Sequence, residues 1–255
     1  MLFLTKPLTS KSSVPYMELR DKLFTEEQYL KQLAKYTARI EKLNSMIEQS
    51  EKDGDEISPH FYGRLFDCKV NYIVTMYSMG ENLESVKNNY VSTISVLEKC
   101  WTPYGYYVQM LWLLSIGIML DYEDEILRGM LTLIERKEVK DHVYDVLLNY
   151  RFPERKKLAD CVFDEIPYRA ILEVSELAKI DREQAIKRLE KYLKKEWYRG
   201  HSAYPWHNGH KYGIIHDGYW SFESGALVKV LGLDDSSLKG LPYYPYDMVH
   251  WNDIK

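Results

Sequence analysis

The sequence predicts an all-α fold, and three observations carry that expectation. Apolar residues recur at three- and four-residue steps through most of the 255 residues, the period of one helix face. Helix start and stop signals bracket those runs. No stretch alternates apolar and polar residues over several positions, and no Gly-rich loop follows a strand-like run. The expected architecture is a bundle of roughly ten helices closed by an aromatic-rich, extended C-terminal tail.

The elements follow in chain order. Residues 1–15 read as a loosely ordered leader that ends in Ser12-Ser13-Val14-Pro15. Thr25 with Gln28 makes a capping box. Beyond it Leu30, Leu33, Thr37, Ile40, Leu43 and Ile47 share a helix face that should end at Asp53-Gly54. Ser58-Pro59 opens a second helix, because Ser caps and Pro fits a first turn whose N–H is unpaired anyway. Its buried stripe is Leu65, Tyr72, Ile73 and Met76. After a turn near Gly80-Glu81, a third helix places Leu83, Val86, Tyr90, Ile94 and Leu97 inward. No charge lies between Lys99 and Asp121, but the strongly apolar part runs only from Val108 to Leu120. That length reads as a buried core helix, from about Gly105 to Leu120, rather than a membrane span.

Asp121 to Asp124 opens the next helix, with Ile126, Met130, Leu133 and Ile134 inward. Two short helices are expected at 138–150 and 153–163, split by Phe152-Pro153. Pro167 lies in the first turn of another. Asp181 with Gln184 opens an amphipathic helix whose stripe is Ile186, Leu189, Leu193 and Trp197. Tyr198 to Asp217 reads as an ordered loop, and a helix from about Tyr219 to Leu231 ends at Gly232. Pro242 and Pro245 exclude helix from Leu241 to Tyr246. The chain divides into an N-terminal half, 16–137, and a C-terminal half, 138–255.

Composition narrows the function classes. A net charge of -4, from 38 acidic and 34 basic residues, argues against a dedicated nucleic-acid binder. Cys68, Cys100 and Cys161 are far apart and form no C-x-x-C pair, so neither a disulfide framework nor a zinc cluster is expected. The 22 Tyr and 6 Trp must fill cores or line contact surfaces.

Several groups of residues could carry function. His201, His207, His210, His216 and His250 fall after residue 200, without the H-E-x-x-H spacing that gives two imidazoles one helix face. Loop organisation is their simplest role, and no metal is expected. A hydrolase, metal-dependent or acid/base, built on the region His207–Glu223 is the alternative reading. Lys187, Lys191, Lys194 and Lys195 are mixed with Glu183, Glu190 and Glu196, the pattern of a solvated face. Asp121, Tyr122, Glu123, Asp124 and Glu125 form the densest acidic stretch, and Asp164-Glu165 and Asp234-Asp235 are smaller ones. Such a stretch can serve a helix start alone. It can also dock a basic partner, with Tyr122 as the anchor, and that is the partner-binding site expected here.

The C-terminal segment carries the most specific pattern. It contains Gly218 and the run Tyr219, Trp220, Ser221, Phe222, Glu223; then Gly232, Asp234 and Asp235; then Tyr243, Tyr244, Pro245, Tyr246; and Trp251. These runs resemble the C-terminal segment of the PoNi immunity family, whose members protect bacteria from PoNe-type DNase toxins delivered between competing cells. Tyr77 to Glu81 and Leu113 to Gly117 resemble the family's N-terminal half. The resemblance implies an all-helical cytoplasmic protein without enzyme activity or cofactor. Its partner would be a cognate DNase toxin, bound one-to-one or as an oligomer, with no direct contact to nucleic acid or membrane. The segment itself is expected to hold the fold. Gly225-Ala226 permits close backbone packing, and the tail's rings supply the area that keeps a short segment docked.

Overall fold

A computed structural model describes residues 18–213 and 215–254, so the expected leader, 1–15, lies outside the described residues. All regular structure among the described residues is helical. Helix α1 spans Glu26–Asp53, α2 Pro59–Met79 and α3 Leu83–Cys100, and α2 packs against both neighbours. Their ends follow from local chemistry. Thr25 Oγ1 accepts the Gln28 N–H at 3.3 Å while Gln28 Oε1 accepts the Thr25 N–H at 2.9 Å. Gly54 closes α1 and Gly80 closes α2 in left-handed conformations, φ 75° and 95°.

Helix α4, Pro103–Met119, forms the centre and is buried from Met110 to Met119 on every side. That explains the lack of charge from Met110 to Met119: no face of this part meets water. Helices α5, Asp124–Arg136, and α6, His142–Arg151, pack on it. Helix α7, Glu165–Ala178, pairs with α8, Arg182–Lys191, which runs through a π turn, Tyr192–Glu196, into α9, Trp197–Gly200. The π turn leaves Leu189, Leu193 and Trp197 all buried, while Asp181 caps α8 through the Gln184 N–H at 3.0 Å. Short α10, Gly209–Tyr212, precedes α11, Phe222–Leu231, and the tail holds α12, Tyr246–Val249. Helix α11 touches α4, α6, α7 and α12, so one continuous core joins residues on both sides of position 137. No described helix is long and apolar enough to cross a membrane.

Three local expectations change. No helix forms over 153–163 beyond a single 3-10 turn, Pro153–Arg155. The buried carboxylates of α6 take the backbone of that stretch instead. Asp145 Oδ2 accepts the Ala159 N–H, Asp141 Oδ2 accepts the Phe163 N–H, both at 2.7 Å, and the His142 N–H donates to the Cys161 carbonyl. Helix α11 begins at Phe222, because the Ser221 N–H is engaged by the Tyr243 carbonyl at 2.8 Å. The tail is non-helical from Leu241 to Pro245, as its prolines require, but then forms two helical turns, Tyr246–Val249 and Trp251–Ile254.

Candidate functional site

The C-terminal segment is turned toward the molecule itself. Gly218 has φ 108° and brings the chain against α2, where Ser78 Oγ donates to the Asp217 carbonyl at 2.5 Å. Trp220 Nε1 donates to the same Ser78 oxygen at 2.8 Å, and its ring meets Tyr77 edge-on at 4.8 Å. Tyr219, Trp220, Ser221, Phe222 and Glu223 are all buried. Gly225 lies so close to α4 and the tail that an added Cβ would meet Met119 Sδ at 2.7 Å and Pro245 Cγ at 2.8 Å. Gly232 ends α11 at φ 60°, and Asp234 Oδ1 accepts the Ser236 N–H. Asp235 takes the Tyr244 hydroxyl at 2.6 Å and His250 Nε2 at 2.9 Å. Tyr243 stacks on Trp197, Tyr246 on His250, and Trp251 is buried beneath Lys87. The contacts of Gly218, Trp220, Gly225, Tyr243 and Trp251 tie the segment to the bundle, and those of Asp234, Asp235 and Tyr246 hold the tail to itself.

The acidic stretch 121–125 is divided by the fold. Tyr122 is not available as an anchor: it is buried, its hydroxyl donates to the Lys87 carbonyl, and its ring stacks on Tyr90 at 4.2 Å. Asp121 pairs with Lys229 at 2.8 Å and accepts from Asn252 and Trp251. Burial alone would raise its pKa, but Lys229 holds it below the usual carboxylate range. Asp124 pairs with Arg151 at 2.7 Å. Glu123 and Glu125 remain exposed.

The histidines are dispersed among rings and backbone. His201 is fully buried between the Trp197 carbonyl and the Tyr168 hydroxyl, and burial pushes it down to about 4, so it is neutral at pH 7. His207 packs on Tyr198 at 4.2 Å, and His210 Nδ1 meets the Tyr219 hydroxyl at 2.8 Å. His216 pairs with buried Asp21 at 3.1 Å. No group of three His, Cys, Asp or Glu among the described residues could hold a metal ion. Glu223 accepts from Trp197 Nε1 at 2.8 Å and from Ser221 Oγ at 2.5 Å, and no histidine bonds to it. Burial pushes Glu223 up to about 7 despite those two donors.

A cleft of about 760 Å³ opens where α2, α4 and the 204–219 loop converge. Its walls are rings, among them Tyr104, Tyr107, Trp112, Phe163, Trp206 and Tyr219. Three carboxylates reach it: Asp67 from α2, Asp164 before α7, and Asp217 from the turn into the signature segment. No Lys or Arg is among its described lining residues. Asp217 Oδ1 accepts from Tyr36 at 2.8 Å, Thr75 at 2.9 Å and Gln32, and burial pushes this carboxyl up to about 6. Asp164 accepts the Tyr204 hydroxyl. Asp67 has no hydrogen bond or ion pair among the described residues, and burial raises it against the opposing charges of Arg39 and His60. This cleft lies apart from the acidic stretch 121–125 expected from the sequence. Asp164-Glu165 was the sole acidic signal near it, because Asp67, Trp112 and Asp217 come together only through the fold.

The fold and cleft together define a helical protein that displays a ring-walled pocket of carboxylates. The family comparison is direct. Residues 20–132 match the PoNe immunity protein (PoNi) N-terminal family, and residues 139–248 match the PoNi C-terminal family. The chain belongs to the PoNi immunity family. No curated protein sequence matches it. Among solved structures, the chain is similar to protein PA2201 from Pseudomonas aeruginosa, with a TM-score of 0.62 and 16% identity over 92% of this chain and 98% of that one. At that identity the likeness concerns the fold.

Proposed function

We propose that this protein is an immunity protein that binds and neutralises a cognate DNase toxin used in competition between bacteria. The observation that carries the reading is the pair of PoNi family matches over residues 20–132 and 139–248. Inhibition is by binding in the cytoplasm, without enzyme activity, cofactor or contact with DNA. The physical chemistry supports this. A nuclease must present a basic surface to phosphates, and a chain of net charge -4 is steered toward such a surface. Exposed Glu123 and Glu125 contribute to that steering from the far end of α4.

Co-expression tests the reading. Membership of the family implies a toxin encoded beside this chain. Cells that make that neighbouring toxin survive when they also make this chain, and the two proteins co-purify. Continued killing with no co-purification removes it. Size-exclusion chromatography of the co-purified species separates a one-to-one complex from a higher assembly and shows whether the free chain self-associates.

A further inference from the structure

Three carboxylates line the acidic, ring-walled cleft, and His216 is the one basic side chain among its described lining residues. In most proteins a part-buried carboxylate is paired, because desolvating an isolated charge is costly. Asp67 has neither ion pair nor hydrogen bond among the described residues, although it sits half-buried in α2. The three donors to Asp217 all fall on Oδ1, and no described residue donates to Oδ2.

A further feature points outward from the same place. The mouth of the cleft is apolar. Tyr104 is 91% exposed, Tyr212 73% and Ile215 55%, and all three line the opening. Large exposed rings around a concave centre are the anatomy of an interface whose anchor comes from the partner.

From these observations we infer that the cleft is the toxin-docking site, and that its occupant is an arginine-bearing loop of the toxin. This deepens the immunity reading and rests on it. The guanidinium meets the carboxylates of the cleft, with ring faces on its flanks. Tyr104 and Tyr212 close over the rim. Arginine fits this site better than lysine. Its planar fork pairs with a carboxylate through two N–H groups and stacks on aromatic faces. The same chemistry would explain inhibition, since an arginine held here is withdrawn from the phosphates of the toxin's DNA groove.

Calorimetric titration with a catalytically inactivated nuclease domain of the neighbouring toxin tests the inference. The Asp67→Asn/Asp164→Asn variant should bind about a hundredfold more weakly than wild type, since truncating a buried charge pair costs at least that much. Tyr212→Ala should lose about tenfold as a rim anchor. Tyr212 is exposed, so this second variant keeps the test valid if the double variant fails to fold. Affinities within threefold of wild type in Tyr212→Ala and in a folded double variant overturn the inference while leaving the immunity reading intact. Wild type that fails to bind the toxin domain overturns both. Spermidine is the control occupant. If it binds free wild type tightly, loses that affinity in the double variant, and the toxin affinity does not change, the cleft serves a free polycation and the inference falls.

Discussion

Replacing Glu223 by Gln changes how the stability of this protein depends on pH, and the size of the change can be worked from the structure. Glu223 is completely buried at the start of α11, and burial moves it from 4.5 to about 7. The fold therefore favours the protonated acid. Below pH 4.5 both folded and unfolded chains carry the proton and nothing is lost. Between about 4.5 and 7 the unfolded chain releases it first, and stability falls as pH rises. Above 7 the loss is complete, about 3 kcal/mol for a shift of that size. Gln cannot titrate. Its amide oxygen can still accept from Trp197 and Ser221, the two donors that Glu223 Oε1 now serves. Its amide nitrogen would take the place of Oε2, which has no partner among the described residues. That penalty is the same at every pH and drops out of the comparison. Urea denaturation of both proteins at pH 5 and pH 8 measures the effect. The Gln variant should gain about 2 to 3 kcal/mol on wild type between the two pH values. A difference that stays constant within error refutes the account of Glu223 as a buried acid.

Other outcomes follow from the same contacts. Gly225→Ala should destabilise the protein by about 1 to 3 kcal/mol in thermal or urea melts, because its Cβ would press on Met119 and Pro245. Asp121→Lys should lower stability by about 1 kcal/mol or more by placing a cation beside Lys229, which a thermal melt would detect. Glu123→Lys/Glu125→Lys should leave the melting temperature unchanged and slow toxin association several-fold at low salt, as stopped-flow would show. Dialysis against EDTA should leave melting and toxin affinity unchanged, and a stoichiometric metal lost with both properties would revive the hydrolase reading.

How far the sequence could be read depended on the range of the interactions involved. Thr25 with Gln28, Ser58-Pro59 and Asp181 with Gln184 act within four residues, and each begins the helix it announces. The uncharged run before Asp121 could be recognised as a core helix because complete burial excludes charge. The stretch 153–163 could not, since its backbone is held by Asp141 and Asp145 across a turn rather than by its own periodicity. Tyr122 has the flanks of a surface anchor but is buried by Tyr90 from α3, a partner 32 residues away. The cleft was the least legible feature. Asp67, Trp112, Asp164 and Asp217 are ordinary single residues in sequence, and only the crossing of α2, α4 and the 204–219 loop makes them one site.

The central claim is that this chain protects by binding a toxin. The most direct measurement is survival of cells that express the neighbouring toxin together with this chain, with a pull-down from the same culture. The account predicts full survival and a stable complex of the two proteins. Death of the cells at the rate seen with toxin alone, with no complex recovered from soluble and folded protein, would contradict it.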